Sequence, residues 1–170
     1  NYAGIEFRDI LRLATNPTRK EKLAADMVVA SSYRRRDGRG HETQRQKGVF
    51  HALAGDIDSG NLSRSTVVSA IKAAYGDVEG VLFTTASSSA DNLKWRYFVH
   101  LEDPIPGADY EVVQEAAFAL MAARGVECDP KMTSPGQGSF LPNVPPGADR
   151  DAYQYEILDG CALSLEHTEI

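Results

Sequence analysis

VFHALAGDIDSGN, residues 49–61, reads as a buried strand that runs into two acids, Asp56 and Asp58. Side chains alternate along a strand, so two Asp separated by Ile57 share one face while Ile57 points into the core. Carboxylates held side by side repel each other unless a cation, a proton or an Arg intervenes, and oxygen ligands on a rigid edge suit Mg²⁺ or Mn²⁺ carrying a phosphate. The pair is therefore a candidate metal site. A second reading stays open here: the strand simply ends, and the acids are solvated turn formers ahead of Ser59, Gly60 and Asn61.

Downstream the pattern is regular. Ser63 or Ser65 caps a helix that runs to Tyr75, with Val67, Val68, Ile71 and Ala74 on one face and Gly76 where a C-terminal cap belongs. Residues 80–85, GVLFTT, form a strand, 86–92, ASSSADN, a small-polar loop, and 95–101, WRYFVHL, a further strand. Asp109 opens a helix to Arg124 with Val112, Val113, Ala116, Ala117, Leu120 and Met121 inward, closed by Gly125. A last short strand at 139–141 precedes NVPPG, and residues 151–170 form a tail with one possible strand at 153–158. The order from 49 to 142 is β-α-β-β-α-β, an α+β fold of the ferredoxin-like or RRM-like split-βαβ type. Its helices cover one sheet face and leave the other free, with the first and third strands as central neighbours. By parity Trp95, Tyr97, Val99 and Leu101 face the helices, which puts Arg96, Phe98 and His100 on the open face with Asp56 and Asp58. Arg96 there either holds a nucleotide's phosphates or bridges to an Asp, and the bridge is compatible with a resting site.

Upstream, residues 6–13 read as a short helix stopped near Asn16-Pro17, Thr18 and Glu21 as the capping box of another, and 27–30 as a strand. Residues 33–48, YRRRDGRGHETQRQKG, are polar, basic and glycine-containing and read as a mobile loop. Arg34, Arg35, Arg36, Arg39, Arg45 and Lys47 make it either a solvated connector or an arm that meets nucleic-acid phosphates. The 170 residues thus form one domain: an N-terminal α/β extension with a basic loop (1–48), an RRM-like core (49–146) and a tail (147–170).

A formal charge of −6 excludes a whole-surface polyanion binder while leaving room for the local basic cluster. Two cysteines, Cys128 and Cys161, in a chain too large to need disulfide staples point to the cytoplasm. No apolar run approaches a membrane span, and Asn1-Tyr2 does not open a signal peptide. The absence of an initiator Met suggests a trimmed fragment with further domains outside it. An EF-hand is excluded because Gly60, Asn61 and Val67 occupy its fifth, sixth and twelfth positions. Zinc-ligand spacing, a Walker loop, a dinucleotide glycine motif and a His-apolar-His strand are absent.

With these motifs in order, the chain resembles the archaeo-eukaryotic primase superfamily in its divergent phage and plasmid primase-polymerase branch. The family's Asp-x-Asp corresponds to Asp56-Ile57-Asp58, its Lys/Arg-Trp-Arg strand to Lys94-Trp95-Arg96, and its later Asp to Asp129 after Cys128. Its aromatic-Leu-Pro close corresponds to Phe140-Leu141-Pro142, so the resemblance spans roughly residues 27–146. It implies two-metal nucleotidyl transfer on a DNA template: Asp56, Asp58 and Asp129 would hold two Mg²⁺ or Mn²⁺, and Arg96 and Ser88 would touch a nucleoside triphosphate, with His100 within reach by parity. The arm from Arg34 to Lys47 would follow the template, and a helicase or initiator domain would complete the replication protein. The chain departs from the family in one motif: no His lies between Ala52 and Val99, so Ala86, Ser87, Ser88 and Ser89 stand where Ser/Thr-x-His belongs, and Gln137 stands where relatives often carry Arg. Serine donates a hydrogen bond but no positive charge. Two rivals therefore remain, a primase-like domain that has lost turnover and binds DNA or scaffolds a replication protein, and an RRM-like single-strand binder displaying aromatic side chains.

Overall fold

The sheet is assembled around a long, buried central strand. The computed structural model describes residues 2–35, 40–167 and 170. Strand β4 (Trp95–Pro106) pairs antiparallel with β2 (Val49–Ile57) on one side and with β3 (Glu79–Thr84) on the other. Because β2 and β3 both run against β4, they are parallel to each other, and α3 (Arg64–Tyr75) makes the crossover between them. Ser63 caps α3 by accepting the Thr66 amide, and Gly76 closes it at φ 83°, a left-handed conformation that costs a glycine little.

The fourth sheet strand is β6 (Tyr155–Asp159), antiparallel to β3, giving the order β2-β4-β3-β6. Residues 139–141 do not supply it. Their strand, β5 (Ser139–Phe140), pairs with β1 (Met27–Val28) in a separate two-stranded sheet. As a result β2 is an edge strand rather than a central one. Its outer edge is covered piecemeal: the Ser32 amide donates to Val49 and the Asp129 amide to Asp56, while the Gln114 side-chain amide donates to Ala54. These bonds satisfy an edge that would otherwise expose a row of unpaired backbone groups.

Parity holds along β4. Trp95, Tyr97, Val99 and Leu101 pack with Leu53, Ile57 and Leu82 against α3 and α4 (Gly107–Ala122). The opposite face is covered as well. Ala54, Val81, Phe83 and Phe98 pack against Ile10 and Ala14 of α1 (Phe7–Thr15), with Met132 and Leu141 closing the cluster. Helix α1 begins at a Glu6–Asp9 capping box and ends just before Pro17, which cannot extend it. The free face expected from the split-βαβ pattern is therefore a second core, because the N-terminal helix has an apolar stripe of its own to bury.

Other local readings shift. Thr18 starts no α-helix. Its hydroxyl and backbone bond to Pro142 and Asn143, and only a 3₁₀ turn, Lys22–Ala24, follows. Within residues 33–48 a helix forms, α2 (His41–Lys47), since HETQRQK consists largely of good helix formers and Glu42 pairs with both Arg45 and Gln46. The inward face of α4 is Tyr110, Gln114, Ala117 and Met121, whereas Val112 is 67% exposed. Gln114 displaces the expected stripe because its amide donates to Ala54 and Met132 carbonyls and to the Tyr110 hydroxyl. Gly107 at the start of α4 has no room for a side chain, since a Cβ there would sit 2.0 Å from the Gln44 carbonyl oxygen. No helix among the described residues is long and apolar enough to cross a membrane.

Candidate functional site

At the end of β2 the chain turns through Gly60 (φ 86°) and Asn61 (φ 44°), both left-handed. The turn is pinned to the start of β4: the Asn61 side-chain oxygen accepts the Leu93 amide at 2.7 Å, and the Trp95 indole donates to the Leu62 carbonyl at 2.8 Å. This clasp sets the register Asp56↔Arg96 and Ile57↔Trp95, so Asp58 comes opposite Lys94.

Asp56 and Asp58 do share a face, and both line a pocket of about 220 Å³. Its walls are the ends of β3 and β4, the loop carrying Thr85 and Ser87, the segment from Phe140 to Asn143, and Lys22 and Ala25 from the N-terminal extension. The two acids differ sharply in environment. The Arg96 guanidinium donates from Nε and from one terminal nitrogen to the two oxygens of Asp56, 2.5 Å each, and from its other terminal nitrogen to the Phe140 carbonyl at 2.9 Å. The Arg96 and Asp56 side chains are 9% and 14% exposed, and Arg96 also lies over the Phe140 ring. This fork ties β2, β4 and β5 together. Asp58 is 55% exposed and, among the described residues, forms an ion pair only with Lys94, loosely at 3.6 Å.

Asp129 arrives beside Asp56 through its backbone, whose amide donates to the Asp56 carbonyl at 2.7 Å, while its side chain caps the 3₁₀ turn Pro130–Thr133 by accepting the Lys131 amide. Among the described residues no group of three or more His, Cys, Asp or Glu side chains is arranged to hold a metal ion. The donor set fits a hard cation through Asp58, and through Asp56 only if Arg96 lets go of it. Next to Asp129, the Cys128 thiol is pushed up to about 12, chiefly by burial and further by the charges of Asp56 and Glu127, against a weak contact to the Tyr97 hydroxyl that opposes the shift.

Ser88 does not line this pocket but a smaller, adjoining cavity of about 30 Å³, its hydroxyl accepting the Lys94 amide. Ser87 takes the pocket position instead. His100 lies four residues along β4 from Arg96, about 13 Å away at strand spacing. There it stacks on Phe7 and meets Glu79 at 2.5 Å, so it serves the α1 contact rather than the pocket.

The described end of the basic segment, residues 40–48, is also elsewhere. It enters β2 at Val49, seven residues and about 23 Å from Asp56. Arg45 is held by Glu42 and by Glu111 of α4, and Lys47 sits over the Tyr33 ring. Arg34 and Arg35 are exposed, while Arg36 and Arg39 lie outside the described residues. Lys22 and Asn143 line the pocket without any sequence signal having marked them. They reach it through long-range pairing, as the Asn143 side-chain oxygen accepts both the Thr18 hydroxyl and the Lys20 amide. No protein-family model matches the chain, nor does any curated protein or solved structure.

Proposed function

We propose that this chain is a primase-polymerase-like domain of a phage or plasmid replication protein, built on a variant RRM-like core, that binds a nucleoside triphosphate with Mg²⁺ or Mn²⁺ and adds nucleotides on a DNA template. The observation that carries the reading is the pocket itself: two carboxylates on one strand face, Asp56 and Asp58, beside Lys94, Arg96 and the hydroxyls of Thr85 and Ser87. A metal held there would neutralise phosphate charge and activate a primer hydroxyl. In this reading Asp58 is the open metal ligand, Asp129 stands in reserve next to Asp56, and Lys94 meets the triphosphate. Arg96 keeps the strand ends in register, and in the resting site it occupies the carboxylate that the metal would take.

A second reading is favoured by that same fork. With Asp56 saturated by Arg96 and serines in place of the family's His, the domain would be a primase-like module that has lost turnover and binds DNA or scaffolds a replication protein. Calorimetric titration of a nucleoside triphosphate with Mn²⁺ into the wild type and Asp58→Asn separates the two. Binding that requires Mn²⁺ and is lost in the variant, followed by primer extension, supports the enzyme. Absence of nucleotide binding, with DNA affinity unchanged or slightly raised in Asp58→Asn, supports the module.

A further inference from the structure

We infer that Lys22, brought in by the N-terminal extension, forms with Lys94 a polyphosphate-binding pair in the Asp56/Asp58 pocket, independent of any metal. The charged groups lining the pocket are Lys22, Lys94, Arg96, Asp56 and Asp58, an excess of one positive charge in a chain whose net charge is −6. Arg96 is committed, with its donors on Asp56 and on the Phe140 carbonyl. The loose contact of Lys94 with Asp58 is easily exchanged, because a partly exposed pair at 3.6 Å contributes little. Lys22 has no carboxylate within ion-pair distance among the described residues. The positive charge in the pocket that remains available to an anion therefore comes from the two lysines.

The segment that carries Lys22 is held at its ends and loose between them. Thr18 and Lys20 bond to Asn143, and Asp26 accepts the Leu141 amide, so both anchors sit on the pocket's own wall. Between them the 3₁₀ turn Lys22–Ala24 buries no residue and, among the described residues, keeps only its own short-range bonds, with Leu23 97% exposed at its centre. A turn with so few buried contacts adjusts at low cost, which lets the Lys22 ammonium follow a ligand. A chain of phosphates suits two ammonium groups from separate elements, with Thr85 and Ser87 lining the same pocket as hydroxyl donors. The extension is then part of the binding site, supplying a cation where the serine loop has none.

For its biological ligand the inference rests on the nucleotide reading above, but its test does not. The probe is inorganic tripolyphosphate, titrated calorimetrically at low salt with a chelator present, into wild type, Lys22→Ala, Lys22→Arg, Lys94→Ala and, as a surface control, Lys72→Ala. The expected result is binding by wild type that weakens about tenfold in Lys22→Ala and in Lys94→Ala, as for loss of one charge-assisted contact, and is retained in Lys22→Arg and Lys72→Ala. No binding by wild type, or Lys22→Ala binding as well as wild type, overturns the inference. The two proposals fail separately. Lys22-dependent tripolyphosphate binding without Asp58-dependent nucleotide binding removes the transferase reading alone, and the reverse pattern removes this one alone.

Discussion

Replacing Arg96 by Met tests whether the fork to Asp56 is an organising contact of the fold. The change leaves the Asp56 carboxylate 14% exposed with no cation beside it and takes a donor from the Phe140 carbonyl. At an effective dielectric constant near 20, the attraction between unit charges about 4 Å apart is about 4 kcal/mol, and removing one partner of a buried pair costs about 3–5 kcal/mol. We expect Arg96→Met and Asp56→Leu each to lower the unfolding free energy by about 3 kcal/mol, the lower end being set by the residual exposure of the pair. In the double variant no charge is stranded, and only the Phe140 carbonyl loses its partner, at about 1–2 kcal/mol. The double variant should therefore be more stable than either single one. Urea denaturation read by tryptophan fluorescence checks this directly, since Trp95 is the sole tryptophan and adjoins Arg96 in β4. Single losses below about 1 kcal/mol, or a double loss equal to their sum, would refute the argument and reduce the fork to a surface-like ion pair.

Two further outcomes follow from the packing around the site. Burial raises the Cys128 thiol from its ordinary 9.0 to about 12, so the unfolded chain releases that proton first. Stability should be level below pH 9 and fall as pH rises from 9 towards 12, more steeply above 10 as the buried Tyr75, Tyr97 and Tyr110, also raised by burial, join in. Urea midpoints should be nearly equal at pH 8 and 9 and lower at pH 10, with a shallower decline between 9 and 10 in Cys128→Ala. Gly55→Ala would place a Cβ 2.4–2.6 Å from the ring and hydroxyl of Tyr97, whose oxygen lies 2.7 Å from that of Tyr75. We expect a loss of about 1–3 kcal/mol from this overpacking, measured as a lowered thermal midpoint, and an unchanged midpoint would mean that Tyr97 has room to move.

The local elements were legible where one physical signal dominates. An apolar run placed β2, alternation gave the faces of β4, and Ser63 or Ser65 with Gly76 bounded α3, of which Ser63 is the cap, because capping and side-chain parity act over a few residues. The same parity brought Asp56, Asp58 and Arg96 to one face. Helix α2 was obscured by its charge, and the true inward face of α4 by Gln114, a polar residue buried because three oxygen acceptors surround its amide.

What the sequence determined alone is therefore most of the strands and helices, though neither α2 nor the 3₁₀ turn after Thr18, together with the α+β class and the acidic strand end, all consequences of periodicity and of local hydrogen bonding. Tertiary structure decided which strand completes the sheet and what covers its second face. It also decided which acid is free. Residues 139–141 and 155–159 both read as short strands from the sequence, and it is the tertiary pairing that puts β5 against β1 and β6 against β3. Likewise Lys22 and Asn143 reach the pocket through pairings that span more than a hundred residues, and Asp56 is occupied because Arg96 is buried against it. Contacts between distant segments depend on how whole faces are shared out among partners, and no short window of sequence contains that information.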